Sequence, residues 1–207
     1  DLQGLTVGVT GLPSDDAFLG SILLSDGLTI DDVVVVNVGY DLLPAVLSGR
    51  ADAVLGAYWT HETILAEQQG TPVRYLRVEE WGVPDFYELV LVAGDAVIAD
   101  SPDVVRGLLA ALQRGYTDAA TNPAPALDLL YAQNPDLDPV VETEGLALLA
   151  PLWTDSGAVA FGDQRPERWD AFGQWMIEQG LLSGDLDIAT AYDATLLPVS
   201  PEATPAT

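Results

Sequence analysis

Leu5-Thr6-Val7-Gly8-Val9-Thr10-Gly11-Leu12-Pro13-Ser14-Asp15 is the stretch whose reading sets the fold class. A short apolar strand halts at Gly11, and Leu12-Pro13-Ser14-Asp15 reads as a turn carrying a helix N-cap. Ala17 to Leu24 then shows a helical apolar face that Gly27 ends. Outward from this unit, Val33-Val34-Val35-Val36 is a continuous β-branched run, which predicts a strand buried on both faces of a parallel sheet. Leu42 to Ser48 predicts a second helix stopped by Gly49, and Ala53-Val54-Leu55-Gly56-Ala57 a third strand. Tyr58-Trp59-Thr60-His61-Glu62 opens a helix that reaches toward Gln69, and Val73 to Val78 predicts a fourth strand. The order β-α-β-α-β-α-β predicts an α/β domain with a mostly parallel sheet flanked by helices.

Beyond Trp81 the texture changes. Trp81-Gly82-Val83-Pro84-Asp85-Phe86-Tyr87-Glu88 reads as an aromatic loop, followed by a predicted strand over Leu89-Val90-Leu91-Val92. Helices are predicted over Pro102 to Thr121, Pro125 to Gln133, Val140 to Ala150 and Pro166 to Gly180, with Asn122-Pro123 and Asn134-Pro135 as breakers. Val199 to Thr207 is rich in Pro, Ala and Thr and is expected to be disordered.

The 207 residues hold 32 Asp and Glu against 7 basic residues, all of them Arg, for a net charge of -25. So few cations cannot neutralise a phosphate backbone, which excludes nucleic acid and anionic membrane as expected partners. A high-GC genome or adaptation to salt accounts for the acidic surplus without any specific role. No apolar run approaches the ~18 residues needed to span a bilayer. The absence of cysteine removes disulfide scaffolds, Cys-ligated metal centres and thiol nucleophiles.

Motifs of the common catalytic classes are missing. Gly8-Val9-Thr10-Gly11 lacks the third glycine of a dinucleotide fingerprint, and neither a Walker glycine loop nor a nucleophile elbow occurs. Asn134, Asp136 and Asp138 imitate a calcium loop, but Pro135 and Pro139 interrupt it and the turn glycine is absent. An acidic connector is the simpler reading, and no metal and no cofactor are expected. His61 is the single histidine, so a His-dependent triad or a two-histidine metal site has nothing else to build on.

Parallel sheets bind ligands at the C-terminal ends of their strands. Here those ends are Thr10–Ser14, Val38–Asp41 and Tyr58–Glu62. Glu62 sits in the first turn of a helix, where the dipole favours a carboxylate as a simple cap. It can equally accept hydrogen bonds from an amino group on a flat heterocycle, with Tyr58 and Trp59 offering ring faces. Glu88, after Phe86-Tyr87, supplies a second candidate carboxylate. Arg50, Arg74 and Arg77 fall outside the predicted strand ends, which disfavours an anionic ligand. Trp169, Phe172, Trp175 and Met176 recur at helical spacing and read as core. Trp153 and Phe161 are read as packing residues.

Three groups of residues resemble a known family. Asp1-Leu2-Gln3-Gly4 before the first strand and turn is similar to the second lobe of solute-binding proteins of bacterial ABC importers. Leu47-Ser48-Gly49-Arg50-Ala51-Asp52-Ala53 resembles an element recurrent in them. Asn37-Val38-Gly39-Tyr40, Gly56-Ala57-Tyr58-Trp59-Thr60-His61-Glu62 and Phe86-Tyr87-Glu88-Leu89-Val90 narrow this to the branch that binds aminopyrimidine precursors of thiamine, related to the eukaryotic thiamine-pyrimidine synthases.

The resemblance implies a periplasmic-binding-protein-like (type II) two-lobe clamp with its first lobe incomplete. Residues 1–84 would form the second lobe. Residues 85–182 would form the hinge and the returning, mostly helical part of the first, and residues 183–207 a partly disordered C-terminal extension. Ser14, Tyr40, Tyr58, Trp59, Glu62, Tyr87 and Glu88 would line the ligand cleft. It further implies a non-enzymatic, extracytoplasmic component, periplasmic or tethered at the cell surface, that delivers an aminopyrimidine-like ligand to an ABC permease. Self-association through the incomplete lobe is a further expectation. Riboflavin or a sulfonate as ligand, a ligand-sensing domain, and a pyrimidine-synthase-like enzyme stand as alternatives; the last would need the cysteine-rich motif of that branch, which this chain lacks.

Overall fold

A computed structural model describes residues 1–198; the expected disorder of 199–207 lies outside the described residues. The described residues divide into two units, one formed by Asp1–Phe86 with Pro166–Ile188, the other by Tyr87–Arg165 with residues 189–198.

In the first unit β1 (Thr6–Val9) is followed by α1 (Asp15–Ser25), β2 (Val34–Asn37), α2 (Leu42–Leu47), β3 (Ala53–Val54) and α3 (Glu62–Gln68). The sheet is parallel with order β2-β1-β3, Val7 pairing with Val35 on one side and Ala53 on the other. Being central, β1 is paired along both edges, and Val7, Gly8 and Val9 are buried. Val7 and Val9 are buried with Leu19, Leu23 and Val33, while Val38, Leu42, Ala45 and Ala51 form a second buried cluster. Gly8 suits this crowding, because a Cβ there would meet Val54 and Val38 side chains at 3.0–3.2 Å and make them shift by a few tenths of an ångström.

The second unit is helical: α4 (Asp95–Asp100), α5 (Pro102–Thr121), α6 (Pro123–Gln133) and α7 (Pro139–Leu149). Pro stands at the start of α5, α6 and α7, where its fixed φ suits the first helical position and its missing N–H costs nothing. Asp138, from the acidic stretch that imitates a calcium loop, accepts from the backbone N–H of Val140 (2.8 Å) and Val141 (3.2 Å). It caps α7. Trp153 and Phe161 pack as read from the sequence: Phe161 stacks on Tyr116 with centroids 3.8 Å apart, and Trp153 meets Tyr116 edge-on at 4.7 Å. The chain then returns to the first unit as α8 (Pro166–Glu178). Phe172, Trp175 and Met176 of α8 pack with Ala17, Phe18, Val83 and Phe86, which agrees with their helical spacing.

Three expectations about strands fail. β2 is not buried on both faces: Val34 is 56% exposed and Val35 lies at the surface, because β2 is an edge strand with one neighbour. Neither Val73–Val78 nor Leu89–Val92 is a strand among the described residues, and Val78 instead begins a single helical turn, Val78–Glu80. Apolar β-branched runs are a local signal, whereas a ladder also needs a partner elsewhere in the chain. Leu89 and Val92, each 84% exposed, have the composition of a strand without the partner. Residues 183–198 hold a turn at Ile188–Thr190 and a buried Leu196.

Candidate functional site

The loop after β1 is built by a residue that reading the sequence as an N-cap overlooks. Asp15 is buried, and its carboxylate accepts from the Thr10 hydroxyl (3.0 Å) and from the backbone N–H groups of Gly11 (2.7 Å) and Leu12 (2.9 Å). Those donors would otherwise be orphaned where the strand ends and the helix begins. Ser14, the expected cap, makes no capping hydrogen bond and is half-buried at the start of α1. Gly11 adopts φ +90°, and a Cβ on it would lie 2.3 Å from Asn37 Nδ2, so the ends of β1 and β2 meet without room for a side chain.

At the end of β2, Asn37 Oδ1 accepts from Gly39 N–H (2.9 Å), and the Asn37 carbonyl accepts from Arg50 Nη2 (2.8 Å). Tyr40, two residues beyond Val38, is 82% exposed. Tyr40 is thus held out toward solvent rather than packed.

The end of β3 carries the densest set of candidate groups. Glu62 opens α3, and its Oε2 accepts from the backbone N–H of Tyr58 at 2.8 Å, with His61 Nδ1 3.6 Å from the same oxygen. One oxygen therefore ties Glu62 back to the segment that precedes α3, at a first-turn position where the helix dipole favours a carboxylate. The other, Oε1, takes no hydrogen bond from the described residues. Tyr58 is exposed beside it, and Trp59 is half-buried. Tyr75 stacks on Trp59 with centroids 5.4 Å apart and planes 18° apart, and the Arg77 guanidinium carbon lies 5.4 Å from the Trp59 ring centroid.

The structure thus brings Tyr58, Trp59 and Glu62 together within one turn and adds Tyr75 and Arg77, which local sequence signals did not reveal. It also corrects the placement of the arginines. Arg77 reaches Trp59 and Arg50 reaches the last residue of β2, so two cations stand at strand ends where the sequence put none. The reason is the path of the chain, which brings Arg50 back to the end of β2 from 13 residues on and Arg77 back to Trp59 after α3. Tyr87 and Glu88 belong to the second unit, where the Tyr87 hydroxyl accepts from Arg165 N–H (2.9 Å) and Glu88 is exposed. No cluster able to hold a metal ion occurs among the described residues.

Comparison with known proteins places these residues in a family context. Residues 1–126 match the family described as NMT1/THI5 like. The chain is 31% identical over 194 residues to the formylaminopyrimidine-binding protein of Halalkalibacterium halodurans, covering 89% of this chain and 58% of that one. It is 26% identical over 207 residues to the riboflavin-binding protein RibY of Chloroflexus aurantiacus, covering 96% and 57%. A third relative, the 4-amino-5-hydroxymethyl-2-methylpyrimidine phosphate synthase of Aspergillus parasiticus, is 28% identical over 126 residues, 56% of this chain and 36% of that one. The chain spans little more than half the length of the two binding proteins it matches.

Proposed function

The chain belongs to the NMT1/THI5-like family, and from that membership we propose that it is the solute-binding component of an importer, capturing a small aminopyrimidine-type thiamine precursor. The observation that carries this reading is the segment after β3: Glu62, whose Oε2 holds the Tyr58 N–H while Oε1 takes no hydrogen bond from the described residues, and, three residues before it in the chain, the Trp59 ring stacked on Tyr75. An aminopyrimidine is flat, so it gains from stacking, and each such ring contact adds about 0.5–1.5 kcal/mol beyond area burial. Its exocyclic amine donates, and Glu62 Oε1 accepts.

Ser14, Tyr40, Tyr87 and Glu88 are assigned to the same ligand by the family resemblance. The reading includes a periplasmic-binding-protein-like clamp that closes on its ligand, delivery to an ABC permease, an extracytoplasmic location, and no catalysis by the chain itself. The α/β unit with its small parallel sheet is compatible with that clamp. No helix among the described residues is long and apolar enough to cross a membrane.

The relation to RibY favours a second reading, riboflavin as the ligand, since an isoalloxazine is also flat and stacks on the same rings. Thermal unfolding of the full-length protein separates the two. A ligand present at about 100 times its dissociation constant stabilises by about 2.7 kcal/mol, which at this size moves the midpoint by roughly 5–10 °C. Aminopyrimidines are expected to produce that shift, while riboflavin and sulfonates leave the midpoint in place. A shift with riboflavin alone would replace the ligand, and pyrimidine formation by the purified protein would restore the enzyme reading.

A further inference from the structure

Arg77 is held in an unusual way for a surface arginine. Its guanidinium lies over the Trp59 ring, its Nε donates to Glu79 Oε1 at 2.6 Å, and its Nη2 pairs with the same oxygen. Glu79 belongs to the single turn Val78–Glu80, and Tyr75 stacks on the same indole. Tyr75 and Arg77 also line a shallow, open surface recess of about 620 Å³ with Val73, Arg74 and Glu80. A planar cation against an indole with a carboxylate on its edge is a complete recognition geometry, and here the cation comes from the chain itself.

We infer that Trp59 and Glu79 form a site for planar N–C–N cations, and that Arg77 fills it as an internal ligand. The guanidinium and a protonated aminopyrimidine share the fragment that matters: coplanar nitrogens flanking one carbon, N–H groups on the edge, and delocalised positive charge. Both stack on an indole and both pair edge-on with a carboxylate. Arg77 is suited to leave. Its side chain and that of Glu79 are each about a third exposed, and ion pairs in that setting are weak and screened by salt. Its tether gives it an effective concentration on the order of millimolar, enough to exclude weak cations from the ring but not a tighter ligand. The inference deepens the aminopyrimidine reading, and rests on it only for the identity of the natural ligand. It makes Arg77 a specificity-determining residue: a compound must outcompete a guanidinium to reach the ring.

The test uses the full-length protein, wild type and Arg77→Ala, with the indole N–H resonance of Trp59 assigned through its loss in Trp59→Phe. Arg77→Met, which keeps the apolar stem, serves as the second variant should the alanine protein fold poorly. Methylguanidinium is expected to shift the Trp59 resonance saturably in Arg77→Ala and not in wild type. The probe 4-amino-5-hydroxymethyl-2-methylpyrimidine is expected to bind Arg77→Ala about three- to tenfold more tightly than wild type, the factor by which an internal occupant lowers the competent fraction. A Trp59 resonance unmoved by methylguanidinium in both variants overturns the inference. So does aminopyrimidine binding that is equal or weaker without Arg77. Methylguanidinium binding to the variant, with no aminopyrimidine binding to either protein, upholds the internal-ligand site and defeats the proposed function.

Discussion

Two groups of aromatic rings in the α/β unit look alike in composition and differ in everything that surrounds them. Phe18, Phe86, Phe172 and Trp175 pack ring on ring, Phe86 and Phe172 with centroids 4.4 Å apart and Phe18 and Trp175 at 5.1 Å. They come from α1, from the loop ending at Phe86 and from α8, and Trp175 is 6% exposed with its indole N–H donating to Ser21 Oγ. Trp59 and Tyr75 also stack, but Arg77 lies over the Trp59 ring and is itself paired with Glu79, and Tyr75 is 49% exposed. The first group closes the fold by satisfying itself. The second keeps charged partners after a strand end, one of them, Arg77, lying over the indole itself. Aromatic residues therefore mark a site only when charged groups border them.

The comparison breaks most visibly if the first group is not core. Trp175→Ala is expected to destabilise the protein by about 3–5 kcal/mol, the range for removing a buried tryptophan. Denaturant unfolding measures it, and a change below about 1 kcal/mol would show that α8 contributes little to its unit. Asp15→Ala is expected to cost about 1–3 kcal/mol, since it leaves three donors without their acceptor. That variant should lose ligand affinity through the loop it supports, and a native unfolding midpoint would refute the structural role.

Trp59→Ala sharpens the other side. Its stability cost should stay near 1 kcal/mol, while aminopyrimidine affinity falls by about tenfold or more, equivalent to about 1.4 kcal/mol. The smallest effect serves as a control in the other unit. The Thr195 hydroxyl, with the Thr195 N–H, holds the Asp193 carboxyl below the ordinary carboxylate range. Its folded value lies under its unfolded one, so the local stabilisation is present at neutral pH and is lost as pH falls below about 4 through the depressed value. In Thr195→Val an NMR titration should show Asp193 returning toward the ordinary range, with no change in ligand binding.

The contrast between the two groups also explains what could be read in the sequence. Helix limits were legible because their signals are local: Ser101-Pro102 opens α5, and Asn122 and Asn134 stop the helices before them. The parallel arrangement of β1, β2 and β3 followed from alternation of short apolar runs with helices. The missing ladders at Val73–Val78 and Leu89–Val92 were not legible, because pairing is decided by residues far along the chain. Within the candidate site, Tyr58, Trp59 and Glu62 are neighbours in sequence and could be grouped on chemistry alone. Tyr75 and Arg77 lie more than a dozen residues away, and only the path of the chain after α3 returns them to Trp59. Asp15 was hidden behind Ser14, since either side chain can close a helix start and the sequence does not say which turns inward.

The central claim is that Glu62 offers its open oxygen to the amine of a heterocycle stacked beside it. Calorimetric titration of the full-length protein with 4-amino-5-hydroxymethyl-2-methylpyrimidine, wild type against Glu62→Gln, tests it most directly. The account predicts binding weakened by about tenfold or more in the variant, as for loss of a charge-assisted hydrogen bond, with an unchanged unfolding midpoint. Equal affinity in the two proteins would contradict it and remove Glu62 from the site.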